Sequence, residues 1–590
     1  MSGEESAHPT RRQVIVGATL LGAGATVGSS LLAACGSDTT SKGTKTDKRH
    51  QTLYVAGEAW GPITTFNPFN GSATWPFGNN QTPLTYEQLF GYNNLDGSLK
   101  PALAASLDMP DDKTIVVKMQ PAAKWQDGQA VTADDVVFTF EIAKRHEEAP
   151  WNSFWQYVTS VTATDPQTVT FALDPKAPNP GMVKTNFVQV PILPKHLWAD
   201  IEAKNAKLTE YTNQDPLPVG SGPYKLEKWD QTQLVWVRDE NYWGKAVHGK
   251  LPAPKWVIHP IFKDNAAGSL AFEQGNVDYS QQFTPQLWKL WEDKKLPVGT
   301  WFDKPPYHLP GSIPMLVINT TKPGLNNPTV RRAMAHAIDY ANIAKTAMSD
   351  YSIPAKSSVI IPQGAEQQYF DQANVDANGW TFDLAKCKQI MEEELKATKG
   401  SDGIYKLPDG TRMGPWKAQT PNGWSDWQAA LDIVAPNLKA AGFDVSTSYP
   451  EAPQVTDSVH NADFDMALFY IAGAGPASPW QRFRDVLDIR GVAKPGQPAY
   501  YNYGRFSDPA VPALLDKSAT ATGAEAKDLF TKLDTIYMKN APMIPLMYRP
   551  SEFYEFNATY WTGFPTSAHP TAPPQFTGAG IQWMYDITAK

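Results

Sequence analysis

The chemistry this chain can do rests on flat rings set in irregular sequence. It holds 20 Trp, 23 Tyr and 25 Phe. Most must fill cores, yet Trp60, Trp75, Trp424, Trp427, Trp480 and Trp561 stand among Gly, Pro, Asn and Ser, where core tryptophans are less expected. An exposed indole stacks under the C–H face of a ring-shaped ligand, while Trp N–H and Tyr O–H groups hydrogen-bond at the rim. That is binding chemistry rather than catalysis. No His-Glu-x-x-His and no Cys/His cluster is present for a metal, no Gly-x-Ser-x-Gly elbow and no phosphate loop. His146, His196, His248, His259, His308, His336 and His460 are scattered, which disfavours a nickel site. No metal and no cofactor is expected. Among 60 Asp and Glu a hydrolase-like pair of acids can always be nominated. Asp426, beside Trp424 and Trp427, is the most tempting single one, and its commoner role would be helix capping.

These rings need a scaffold. Residues 53–56 read as a first strand followed by a loop over 57–62. Residues 114–119 and 169–173 are β-rich, and Thr132-Ala133-Asp134-Asp135 caps a helix whose apolar positions are Val136, Val137 and Phe140. A proline-rich passage over 304–310 resists helix and ladder alike and marks a crossing between lobes. It leads into a buried strand over 315–319. Asn327-Pro328 then opens a helix, with Asn as cap and Pro at the first position. Strands over 443–445 and 464–469 interleave with helices near 428–440 and 524–539. Such alternation predicts α/β lobes rather than a β-sandwich.

The start of the chain fixes where it works. Arg11 and Arg12 precede a short apolar stretch, and Leu32-Ala33-Ala34-Cys35 opens a polar run. A charged start, a short apolar segment and a small-residue boundary make an export signal, too short to span a bilayer. Leu-Ala-Ala-Cys resembles the bacterial lipoprotein box, with Cys35 the lipidated residue. Thr10-Arg11-Arg12-Gln13-Val14-Ile15 resembles a twin-arginine signal. The expected product is extracytoplasmic and lipid-anchored to the cell membrane. The formal charge of -8, with no basic block, argues against nucleic acid. Of two cysteines Cys387 is left alone, on a helical face with Leu384, Ile390 and Met391, and is expected to be a buried core residue.

Several fragments, in order, carry a resemblance. They are Leu89-Phe90-Gly91-Tyr92 with Pro101-Ala102-Leu103-Ala104, Lys124-Trp125-Gln126-Asp127-Gly128, Gly220-Ser221-Gly222-Pro223-Tyr224, Asn319 with Val330-Arg331-Arg332-Ala333, and Pro542-Met543-Ile544-Pro545-Leu546. Together they resemble the large solute-binding proteins of ABC importers, the family-5 group of dipeptide, oligopeptide, nickel and oligosaccharide binders. The resemblance implies an α/β, two-lobed periplasmic-binding-protein-like fold (type II, cluster C) with an extra β-rich subdomain. The implied partition is a signal over 1–34, a tether over 35–50, lobe I over 51–85, 216–308 and 549–590, the extra subdomain over 86–215, and lobe II over 309–548. Its partners would be a small-molecule ligand and ABC permease subunits in the membrane. The chain would be a monomer and no enzyme.

Peptide binders of this family hold the ligand's ammonium with an aspartate in the loop after a late strand. Here that loop, Tyr470 to Trp480, contains no acid, and a buried ammonium without a partner costs several kcal/mol. Glu58, Asp426 and Glu552 are the acids that could substitute. The sequence therefore favours an oligosaccharide of β-gluco or xylo type over an oligopeptide, with a secreted glycoside hydrolase third. The expected ligand-binding residues are Trp60, Asn67, Trp75, Asn319, Trp424, Trp427, Tyr470, Trp480 and Trp561, Asn67 and Asn319 as hydrogen-bonding groups at the cleft.

Overall fold

The computed structural model describes residues 48–59, 61–78, 82–570 and 581–590. Three sheets organise them. In chain order the strands are β1 (Thr52–Ala56), β2 (Ala104–Asp111), β3 (Thr114–Met119), β4 (Val158–Asp165), β5 (Thr168–Leu173), β6 (Tyr224–Asp230), β7 (Gln233–Arg238) and β8 (Trp256–Pro260). They continue as β9 (Tyr279–Ser280), β10 (Val298–Gly299), β11 (Met315–Ile318), β12 (Trp416–Gln419), β13 (Val445–Ser448), β14 (Met466–Phe469), β15 (Met543–Pro545) and β16 (Glu555–Asn557).

The first lobe is a seven-stranded sheet in the order β10-β16-β9-β1-β8-β7-β6. Here β1 runs parallel to β8 and β9, and β16 antiparallel to β9. The extra subdomain is an antiparallel sheet, β2-β3-β5-β4. In β3, Ile115, Val117 and Met119 alternate inward, the period expected of a half-buried strand. Against this sheet packs helix α1 (Ala133–Arg145). Its start is fixed by Asp135, whose carboxylate accepts the Thr132 N–H at 2.8 Å and the Lys195 N–H at 2.9 Å.

The second lobe is a five-stranded sheet, β13-β12-β14-β11-β15. Its strand β11 lies between β14 and β15 and is wholly buried, which explains the unbroken run Met-Leu-Val-Ile. Helices α2 (Pro328–His336), α3 (Ser425–Ala441), α4 (Trp480–Leu487), α5 (Val511–Ser518) and α6 (Gly523–Asn540) belong to this lobe. As the Asn-Pro pair predicts, Asn327 caps α2, its side chain accepting the Thr329 N–H at 2.9 Å. Cys387 is buried and free, and burial pushes its thiol up to about 12, so it is an inert core group.

Two passes of chain, over 309–314 and 546–551, join the lobes. They touch at an antiparallel bridge, Ser312 to Arg549, with N–H to carbonyl distances of 2.8 and 3.0 Å. The polar stretch expected to run through residue 50 is docked from Lys48 onward. Arg49 holds Asp278 through both carboxylate oxygens, at 2.7 and 2.9 Å, and lies 3.8 Å over the Tyr560 ring. Among the described residues no helix is long and apolar enough to cross a membrane.

Candidate functional site

Strand direction decides what converges. In the first sheet Ala56 of β1 pairs with Ser280 of β9, and Ser280 pairs with Glu555 of β16. The chain just past Ala56, just past Ser280 and just before Glu555 therefore crowds at the carboxyl ends of the parallel strands. In open α/β sheets that edge is where ligands bind. Gly57 makes the turn there at φ +82°, and a Cβ on it would sit 2.7 Å from the Gln282 nitrogen, so only glycine fits. Next, the N–H groups of Glu58 and Ala59 both donate to His259 Nε2, at 3.0 and 3.1 Å. Burial lowers His259 to about 4, so its ring stays neutral and Nε2 stays an acceptor.

This clamp fixes Glu58 beside Glu552. Burial raises Glu58 well above the ordinary carboxylate range, the charge of Glu552 raises it further, and the Tyr279 hydroxyl lowers it. Burial also raises Glu552, against the lowering influence of the Arg549 guanidinium. Both residues are half-buried.

The second sheet presents its own carboxyl edge. Strands β12, β13 and β14 are parallel, while β11 is antiparallel to both β14 and β15. The loops after β12, β14 and β15 leave from the same side. They carry Trp424 and Asp426, Tyr470, and Arg549. Trp424 is 37% exposed and meets Trp427 edge-on at 4.8 Å, and Tyr470 is 48% exposed and stacks on Phe469 at 4.4 Å. Arg549 Nε donates to the buried Asp426 at 3.0 Å, and its guanidinium lies 4.4 Å over Phe553. This pair ties the start of α3 to the crossing segment that leads to Glu552.

The remaining sequence-derived residues are placed elsewhere, each for a physical reason. Asn319 follows β11, which runs against β14, so it lies at the opposite edge. Its amide donates to the carbonyls of Ala462 and Phe464, both at 2.9 Å. Trp561 lies at the amino end of β1, its indole N–H donating to the Thr52 carbonyl at 3.0 Å. Asn67 is fully buried, holding the carbonyls of Leu208 and Tyr211 at 2.6 and 2.7 Å. Trp75 packs edge-on against Trp236 at 5.2 Å, within the first lobe's core. Trp480 is buried at the start of α4, its N–H on the Leu515 carbonyl at 2.9 Å and its ring edge-on to Tyr157 of the extra subdomain at 6.5 Å. Trp427 is buried beneath Trp424. Trp60, Cys35, Arg11 and Arg12 lie outside the described residues. What the aromatic reading passed over is Arg549, and it held Glu58, Asp426 and Glu552 only as substitutes. The available signal was an acid two residues past the first strand.

Among the described residues no group of three or more His, Cys, Asp or Glu could hold a metal ion. Residues 98–486 match the family model of bacterial extracellular solute-binding proteins, family 5. The chain is 25% identical to a probable peptide-binding protein, YejA, of Agrobacterium fabrum, over 81% of this chain and 80% of that one. Among solved structures it is similar to a periplasmic oligopeptide-binding protein of an oligopeptide ABC transporter from Thermotoga maritima. That similarity has a TM-score of 0.83 and 29% identity, covering 92% of this chain and 100% of the other. The mannohexaose-bound form of the same Thermotoga protein gives a TM-score of 0.80, at 29% identity over 92% of this chain and 99% of that one.

Proposed function

This chain belongs to the bacterial extracellular solute-binding proteins of family 5, extracytoplasmic substrate-binding proteins of ABC importers, and on that premise we propose that its ligand is an oligosaccharide, captured between the lobes and passed to a membrane permease. The observation that carries this reading is the pair of exposed rings, Trp424 and Tyr470, on one carboxyl edge that Asp426 and Arg549 tie to the crossing segment. Ring faces take the C–H side of a sugar, and carboxyl groups take its hydroxyls. The mannohexaose bound by the Thermotoga neighbour supports the same choice. A second reading, a peptide ligand, is favoured by the name of the YejA relative and by the acids Glu58 and Glu552, either of which could meet an ammonium group.

A thermal-shift screen of manno-, cello- and xylo-oligosaccharides against short peptides separates the two. The expected outcome is a melting shift with oligosaccharides, a change in tryptophan fluorescence, and ligand recovered uncleaved. A shift with peptides alone overturns it. The same reading includes the three-part division into two lobes and a subdomain, a monomeric state, export by the twin-arginine route and a lipid on Cys35. Cys35→Ala should move the protein from the membrane fraction to the soluble one.

A further inference from the structure

A second enclosed space lies at the other end of the first lobe. Strand β6 runs antiparallel to β7, and β7 antiparallel to β8, so β6 shares the direction of β8 and β1. Its first residue, Tyr224, therefore stands at the amino edge, away from the cleft. The Tyr224 N–H donates to the Leu84 carbonyl at 3.0 Å, and the Trp243 N–H to the Ser221 carbonyl at 2.9 Å, which brings the chain near 84 and the turn near 243 to that edge. Together with the C-terminal segment over 581–585 they enclose a cavity of about 40 Å³, room for about three water-sized groups. Pro83, Phe90, Pro101 and Ile581 make apolar walls, and Glu87 and Tyr585 also line it.

These two residues carry unmet polar capacity. Glu87 is 5% exposed, and its two oxygens accept the Tyr242 O–H at 2.7 Å and the Trp243 N–H at 3.2 Å. The Ser221 hydroxyl acts on the same carboxyl from beyond hydrogen-bond distance. Burial raises Glu87 to about 7, and no cation is among the groups acting on it. His248, whose ring lies 4.5 Å from that of Tyr585, is lowered from its ordinary value by desolvation and supplies no charge. Tyr585 is 7% exposed, and its enclosed hydroxyl has no partner within hydrogen-bond distance, the Tyr242 hydroxyl acting on it only from further away. An enclosed polar group left without a partner requires an explanation.

We propose that this cavity is a second binding site, independent of the cleft, for the head of a small primary alkylammonium held by Glu87 and Tyr585. The count of hydrogen-bonding sites fits. Each Glu87 oxygen, with one donor already on it, keeps a free lone pair, and the Tyr585 oxygen accepts as well. An ammonium brings three N–H donors to these three acceptors, together with the charge that an enclosed carboxylate lacks. The ring faces of Tyr242 and Trp243 attract a cation beside them. One nitrogen and two carbons fill a space of this size, the carbons against the proline and phenylalanine walls. Because Tyr585 belongs to the C-terminal segment and Glu87 to the body of the lobe, an occupant joins the two and stabilises the folded chain.

The test is thermal unfolding of the full chain in ethylammonium chloride against equal concentrations of sodium chloride and of tetramethylammonium chloride. It is run at about pH 8, above the value of about 7 at which Glu87 ionises and below the ordinary value of an alkylamine, about 10.4. Ethylammonium alone should raise the melting temperature, saturably, with a Kd on the order of 1 mM, near the limit for three heavy atoms. Tyr585→Phe deletes a hydroxyl that has no protein partner, so it should leave the melting temperature in sodium chloride unchanged and abolish the ethylammonium shift. Glu87→Gln should abolish the shift too, and if that variant does not fold, Tyr585→Phe decides alone. No difference between ethylammonium and sodium overturns the proposal and leaves the cavity to water. An equal shift with tetramethylammonium, which has no N–H, or a shift that survives Tyr585→Phe, overturns it as well.

Discussion

The two edges of the sheets put similar residues to opposite uses. At the amino ends of the strands Trp561 is 1% exposed and Asn319 is fully buried, and each spends its hydrogen bonds on backbone carbonyls. At the carboxyl ends Trp424 and Tyr470 keep open faces, and Glu58 and Glu552 keep accessible surface. Residue type alone does not separate the groups, since each contains an indole and a polar side chain. Strand end and local packing decide together. Trp561 at the amino edge closes a core, and Trp424 at the carboxyl edge keeps an open face, while Trp427 and Trp480, which also follow carboxyl ends, are buried by the helices they start or enter.

Substitutions that cross this divide test it. The largest effect is expected at the amino edge. Trp561→Ala should cost about 3–5 kcal/mol of stability through cavity formation and a lost hydrogen bond, read by denaturant unfolding, with ligand affinity unchanged in the folded fraction. A loss of affinity there would break the comparison. Next is a sealed acid that sits at the carboxyl edge, Glu555, fully buried and raised by burial to about 8 against the Thr284 hydroxyl and N–H. The folded chain then holds a proton that the unfolded chain releases above 4.5. Its contribution is whole below about pH 4.5 and is lost as pH rises through about 8. Glu555→Gln should flatten the fall in melting temperature over that window by an amount worth on the order of a few kcal/mol. Some slope should persist, because Glu87 and Asp534, both raised to about 7, titrate in the same direction. The smallest effects belong to the open rings. Trp424→Ala and Tyr470→Ala should each weaken ligand binding about tenfold, or ~1.4 kcal/mol, and change stability by no more than about 0.5 kcal/mol. A large stability loss with intact binding would move them to the other group.

Local features were legible in the sequence. The span 114–119 is a strand over those very residues, and the Asn327-Pro328 start of α2 is where the cap chemistry puts it. These depend on neighbours within a few positions. Strand direction does not, because β11 meets β14 across about 150 residues. The expectation for Asn319 needed that direction: its strand was read as buried, but the edge at which it ends follows from a distant partner. Burial of Trp75 and Trp480 depends likewise on Trp236 and on Leu515, whose positions local composition does not reveal. The acids were recoverable in part, since an acid just past a first strand lands at the carboxyl edge if its neighbours run parallel, as β1 and β9 do.

The bridge between Ser312 and Arg549 has a mechanical consequence. Two chain passes pinned together leave bending about one axis cheap, because backbone dihedrals on either side can absorb it. Rotation of one half about the line joining the two would instead shear both hydrogen bonds of the bridge. The residue that supplies one pin also grips Asp426 through its side chain, so a tilt of α3 reaches the pivot directly. Such a joint has one soft degree of freedom, and the helix start beside Trp424 is mechanically geared to it.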